Sequence, residues 1–168
     1  MQNTQSKMYA SKKLMKEFKN LNEDYELPFT VGLENENDLF KWLVLIEGPE
    51  GTIYEGGVFQ ATMVFPQTYP NNPPKMRFTT PMWHPNIYKN GEVCVSILHE
   101  PVFDEFNEME KMEEKWRPIL GVREVLLSVI SMLCSPNLES NANVDASIQY
   151  RNDREGFNKK VRQMIDNQ

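Results

Sequence analysis

Cysteine and histidine are scarce in this chain, with Cys94 and Cys134 its two thiols and His84 and His99 its two imidazoles. Two thiols are too few for a disulfide framework, and the polar opening MQNTQSKMYASKKLMKEFKN lacks the apolar core of a secretory leader. Free thiols in a reducing, intracellular compartment are therefore expected. Neither paired CxxC nor HxxxH spacing occurs, so no metal site is expected. No apolar run approaches the roughly 18 residues that cross a bilayer, which argues against a membrane span. Basic charge is also in deficit: Lys and Arg total 18 against 24 Asp and Glu, a net charge of -6. The chain thus lacks the cationic excess that drives nonspecific binding to nucleic acid.

What the chain does have is an ordinary globular composition, 40% hydrophobic and 25% charged over 168 residues, which fits a single domain spanning 1–168. From about Thr4 to Asn20, Leu14, Met15, Phe18 and Leu21 recur at helical spacing, with Lys12, Lys13, Lys16 and Lys19 on the remaining face. Four β-rich runs follow, FTVGL, LFKWLVLIEG, GVFQATMVF and KMRFT, separated by Gly, Pro and Asn clusters. Connections this short, with no helix among them, predict an antiparallel meander. Beyond Gly121 the period changes. Val122, Val125, Leu126, Val129, Ile130 and Leu133 predict a core helix ending at Ser135-Pro136-Asn137, with Cys134 expected inside, and two shorter helices follow. The fold class is α+β, a four-stranded meander flanked by an N-terminal helix, a central core helix and C-terminal helices.

Both histidines and Cys94 fall within Met82–Pro101, MWHPNIYKNGEVCVSILHEP. A thiol ten residues after His84 is compatible with an imidazole-activated nucleophile. His84 also precedes Pro85, and an imidazole there can instead brace the turn through backbone hydrogen bonds. Taken alone, Cys94 is equally compatible with a small buried hydrophobe.

The order of motifs decides more than any one of them. His84-Pro85-Asn86, Cys94 eight residues after the asparagine, SILH, and a Trp116-to-Pro118 pair stand with GPEGTIYEGGVF, FPQTYPNNPPKMRF, EVLLSVISML and PNLESNANVDAS in one sequence. This ordered set resembles the ubiquitin-conjugating enzymes from about Lys7 to the carboxyl end. The resemblance implies that Cys94 accepts ubiquitin as a thioester from an activating enzyme and yields it to a lysine amine with a ligase partner. It implies no cofactor on this chain, because ATP is used upstream by the activating enzyme. Asn86 corresponds to a side-chain donor for the oxyanion, although holding its own loop is an equally physical role. His84 and Pro85 correspond to the structural part of the motif.

Where many relatives carry aspartates near the cysteine and after the core helix, this chain has Ser96 and Ser140, poorer bases that suit positioning. An insertion at about 99–114 carries Asp104, Glu105, Glu108, Glu110, Glu113 and Glu114. It resembles the acidic-loop branch that builds lysine-48-linked chains for proteasomal degradation. The end of the chain soon after its last helix is more similar to the endoplasmic-reticulum-associated type than to the tailed cell-cycle type. By this resemblance His99, Asp104 and Glu105 orient or activate the acceptor lysine, while EMEKMEEK on its own reads as a solvated run. By the resemblance, ligase contacts, of RING type, map to Lys7 and Lys12, to Phe65 through Asn72 with Asn71 among them, and to Arg117, Pro118 and Ile119. Tyr69-Pro70 is cis in relatives, although an X-Pro bond is more often trans. The implied location is cytoplasmic, with recruitment to the endoplasmic reticulum surface and the nucleus both open. A catalytically silent scaffold that binds ubiquitin or a ligase is the alternative, and a cysteine hydrolase ranks below it because nothing in the sequence marks a dedicated base.

Overall fold

The computed structural model describes residues 2–103, 105 and 110–168. Helix α1 (Gln2–Asn22) leads into strands β1 (Phe29–Leu33), β2 (Lys41–Glu47), β3 (Val58–Val64) and β4 (Lys75–Phe78). These form one antiparallel sheet in sequential order, the expected meander. Register follows the hydrophobic alternation: Phe29 opposes Ile46, Trp42 opposes Met63, and Ala61 opposes Phe78, so the inward residues of all four strands meet on one face. Helices α2 (Val122–Cys134), α3 (Val144–Asn152) and α4 (Arg154–Asp166) complete the order, with short 3-10 turns at Ser96–Leu98 and Met112–Glu114.

One continuous core joins the sheet to the helices. Ala10, Leu14 and Leu21 bury one side of α1, whereas Met15, about 100° around the helix from Leu14, is 59% exposed. Met15 therefore does not belong to the buried stripe in which the sequence places it. Helix α2 buries Val122, Val125, Leu126, Val129, Met132 and Leu133, the apolar set that makes it the central helix. Its start is fixed from two directions. Glu124 Oε2 accepts the Gly121 N–H at 2.8 Å, and Glu17 of α1 accepts the Val122 N–H at 2.8 Å through Oε2. The other Glu17 oxygen accepts the Tyr69 hydroxyl at 2.8 Å, so one carboxylate ties α1, the loop after β3 and the head of α2 together.

Cys134, expected in the core, is exposed. It follows the buried pair Met132 and Leu133 on the helix and so turns away from the face they share. Phe65, assigned to the ligase surface, is instead buried between Trp42 and Tyr69, with ring centroids 5.0 and 5.1 Å away. It continues the inward alternation of Phe59, Ala61 and Met63 by one more step and is a core residue. The Tyr69-Pro70 bond is cis. No helix among the described residues is long and apolar enough to cross a membrane.

Candidate active site

Cys94 is placed by a small hairpin laid along the edge of β4. The Ile87 and Val93 bridge closes the hairpin, and Arg77 of β4 bridges Glu92. The Phe78 N–H donates to Gly91 O at 2.8 Å, and the Val93 N–H donates to Met76 O at 3.0 Å. The turn requires glycine at 91: φ is 90°, and a Cβ there would sit 2.1 Å from the Phe78 carbonyl oxygen. At the end of this ribbon the Cys94 N–H donates to Asn86 O at 2.9 Å, leaving the side chain half-buried at the mouth of a cleft of about 700 Å³.

His84 and Asn86 form the wall behind the cysteine. The buried His84 ring spans two bonds, Nε2–H donating to Met132 O at 2.9 Å and Nδ1 accepting the Asn86 N–H at 2.9 Å. These partners require the neutral ring, and burial holds its pKa down at about 4. His84 is thus the brace of the turn and not a base for Cys94. Asn86 presents both amide hydrogens to carbonyls, Asn137 O at 2.7 Å and Ser140 O at 2.6 Å, while its Oδ1 accepts the Asn137 N–H at 2.8 Å. In this geometry Asn86 holds the loop after α2. Serving as an oxyanion donor requires one of these two bonds to be released.

The imidazole that reaches the thiol is His99. Its Nε2 lies 3.7 Å from Cys94 Sγ, and Ser140 Oγ lies 3.5 Å from the same sulfur. On the other side of the ring, Nδ1–H donates to Glu110 Oε1 at 2.5 Å. Glu110 Oε2 pairs with Lys115 Nζ at 3.2 Å, and Lys115 also donates to Val102 O at 2.7 Å. Burial pushes the Cys94 thiol up, but hydrogen bonds from His99 and Ser140 and the His99 charge outweigh it, and the net shift is downward. His99 moves the other way, up to about 9, first through its bond to Cys94 and then, against burial, through the bond and charge of Glu110. Burial raises Glu110, while its bonds to Ser96, His99 and Lys115 bring it below the usual carboxylate value. A thiol whose pKa is lowered beside an imidazole backed by a carboxylate is an arrangement that can supply a nucleophile.

One expectation about the acidic segment changes here, the uniform solvation of its second half. Asp104 lies outside the described residues, and Glu105 is exposed. The carboxylate that meets His99 is Glu110, whose side chain is 7% exposed. EMEKMEEK is accordingly not a uniformly solvated run, because Glu110, its third residue, and Lys115, its last, turn inward as an ion pair. His99 therefore has a dedicated carboxylate partner. The sequence signal for it is faint: charge signs alternate through this stretch, and only a partner on another segment selects which acid turns in. Tyr88 is a further neighbour missed by motif reading; the Cys94 charge raises its hydroxyl pKa, followed by burial and a bond to Cys94. Among the ligase positions, Lys7, Lys12, Asn71, Pro118 and Ile119 are exposed, Ile119 at 84%. They come from segments tied to one another. Ser6 Oγ donates to Gln67 O at 3.2 Å, and Trp116 Nε1–H donates to Pro70 O at 2.7 Å.

Comparison with known proteins agrees with this architecture. A family model described as "Ubiquitin-conjugating enzyme" matches residues 13–165. Human ubiquitin-conjugating enzyme E2 G2 is 50% identical over 156 residues, 93% of this chain and 94% of its own length. Ubiquitin-conjugating enzyme E2 15 of Schizosaccharomyces pombe is 48% identical over 157 residues, 93% of each chain. The solved structure of human ubiquitin-conjugating enzyme E2 G1 superposes with a TM-score of 0.67 at 48% identity, covering 76% of this chain and 96% of that one.

Proposed function

The chain belongs to the ubiquitin-conjugating enzyme family, transferases that work through a cysteine thioester, and on that premise we propose that Cys94 is the residue that carries ubiquitin. The observation that carries this reading is the contact of Cys94 with His99 at the mouth of the cleft. In the charging step the Cys94 thiolate attacks the thioester carbonyl of the loaded activating enzyme and displaces that enzyme's thiolate. In the discharge step a lysine amine attacks the Cys94 thioester. An amide forms, the C–S bond breaks, and the sulfur leaves as a thiolate stabilised again by His99 and Ser140.

The acceptor must arrive as an ammonium and react as an amine. Glu100, Glu110 and Glu139 line the cleft together with Lys75 and Lys115, and the carboxylates can hold an ammonium group. These carboxylates and the acidic segment support lysine acceptors, and by resemblance lysine-48-linked chains that mark proteins for proteasomal degradation. The exposed positions Lys7, Lys12, Asn71, Pro118 and Ile119 form the surface for a RING-type ligase. The protein works in the cytoplasm, recruited to the endoplasmic reticulum surface by a partner.

Charging tests the assignment. Incubation with activating enzyme, ATP and ubiquitin gives a conjugate that thiols cleave, and Cys94→Ser gives a thiol-resistant ester in its place. Persistence of the thiol-labile conjugate in Cys94→Ala overturns the role of Cys94.

A further inference from the structure

We propose that the Glu110 and His99 pair lets this enzyme pass ubiquitin to hydroxyl groups as well as to amines, with His99 Nε2 as the base that takes the hydroxyl proton. The proposal rests on the Cys94 thioester assigned above. An amine needs no base during attack once solvent has removed its extra proton. A hydroxyl keeps its proton at physiological pH and must surrender it as the new bond forms, so a base within reach matters far more for this acceptor. An imidazole oriented by a carboxylate is the side-chain arrangement that performs such a transfer in triad enzymes.

The geometry here has each of those parts. Glu110 Oε1 accepts Nδ1–H at 2.5 Å, and in the neutral ring this fixes the tautomer whose Nε2 lone pair faces Cys94 Sγ, 3.7 Å away. Glu110 is itself immobilised by the buried Lys115, which is anchored on Val102 O. Lysine activation alone asks for less than this three-part support, since the cleft carboxylates and solvent already supply it.

Loading the enzyme also sets the state of the base. In the free protein the bond to Cys94 is the largest influence raising His99, ahead of Glu110. Thioester formation consumes the thiol and removes that influence, which brings the ring back toward the neutral form. The other titratable groups lining the cleft are Lys75 from β4, Tyr88 from the hairpin, and Glu100, Lys115 and Glu139, of mixed sign. The hydroxyl oxygen then attacks the thioester carbonyl and its proton moves to Nε2. A C–O bond forms and the C–S bond breaks. The proton finally passes from His99 to the departing Cys94 thiolate, leaving an ester and a free thiol.

The test uses enzyme charged with ubiquitin and then separated from ATP, mixed with Nα-acetyl-threonine or with Nα-acetyl-lysine. Threonine should yield a ubiquitin adduct that resists thiols and is cleaved by dilute hydroxide; lysine should yield an adduct that resists both. His99→Gln should slow ester formation by about 100-fold. Glu110→Gln should lower the ester-to-amide rate ratio by about tenfold, since it acts by orienting His99. Glu113→Gln, an exposed acid on the same segment, should leave the ratio unchanged. Amide without any hydroxide-labile ester overturns this proposal and leaves the lysine reading standing, as does a ratio that His99→Gln and Glu110→Gln do not move. Failure of Cys94 to charge at all overturns both.

Discussion

Acidification from pH 7 to pH 5 should destabilise this protein through a single buried ring. His84 is fully buried and accepts a hydrogen bond on Nδ1 from the Asn86 amide, so protonating it costs that bond and places a charge away from water. Its folded pKa of about 4 lies below its unfolded value of 6.5. The unfolded chain therefore binds the proton first, and stability present above pH 6.5 is lost as pH falls toward 4. With these two values, one-site linkage gives a loss of about 2 kcal/mol between pH 7 and pH 5. His99 opposes this in part: its folded pKa of about 9 lies above 6.5, so its stabilisation grows by about 0.8 kcal/mol as the unfolded ring protonates between pH 7 and pH 5, leaving a net loss of about 1 kcal/mol from the two rings. Urea unfolding followed by tryptophan fluorescence should show the midpoint falling by about 0.5 M at an m-value of about 2 kcal/mol/M, and by about 1 M in a His99→Gln background where the opposing ring is gone. Nitrogen chemical shifts of the two imidazoles provide the direct check. A folded His84 that titrates above pH 6 would refute the reasoning, whatever the urea curves show.

Two further outcomes follow from the described contacts. Lys115→Met removes one of three partners of the Glu110 carboxylate, leaving His99 and Ser96, and should destabilise the fold by about 2 kcal/mol in urea unfolding. Adding Glu110→Gln should restore part of that loss, and additive losses would show that the two side chains do not act as a pair. Iodoacetamide should label both Cys94 and Cys134 in the native protein by peptide mass spectrometry, because neither thiol is buried. A Cys134 that labels only after unfolding would return it to the core.

The meander was legible because each strand alternates cleanly and the turns between strands are short. In β3 the burial of Phe59, Ala61 and Met63 follows directly from period-two spacing. The same rule, followed one step further, predicts the burial of Phe65; a family correspondence placed it on the surface because position along the chain says nothing about which way a side chain points. Cys134 was misplaced for a related reason, since apolar neighbours on a helix do not share its facing. At the site, the roles given to His84, Asn86 and Cys94 come from the resemblance carried by the ordered motifs, since their spacing alone left Cys94 open between a nucleophile and a buried hydrophobe. Glu110 was not readable, because its selection among the acids of residues 100–114 depends on His99, Ser96 and Lys115 converging on it. Long-range convergence of this kind leaves no periodic trace.

Trp116 has a consequence for how a bound partner is felt in the cleft. Its ring N–H is fastened to Pro70 O in the loop after β3, and its backbone N–H to His99 O at 3.0 Å. The residue is fully buried, so neither attachment can be exchanged for water. The loop holding Asn71, the stretch leading to Ile119, and the backbone that carries the imidazole therefore behave as one girder. A protein that docks on the exposed end of that girder meets a surface whose shape is already set and loses little freedom in ordering it. The same two hydrogen bonds put one residue, Trp116, between the backbone of His99, beside Cys94, and that docking end.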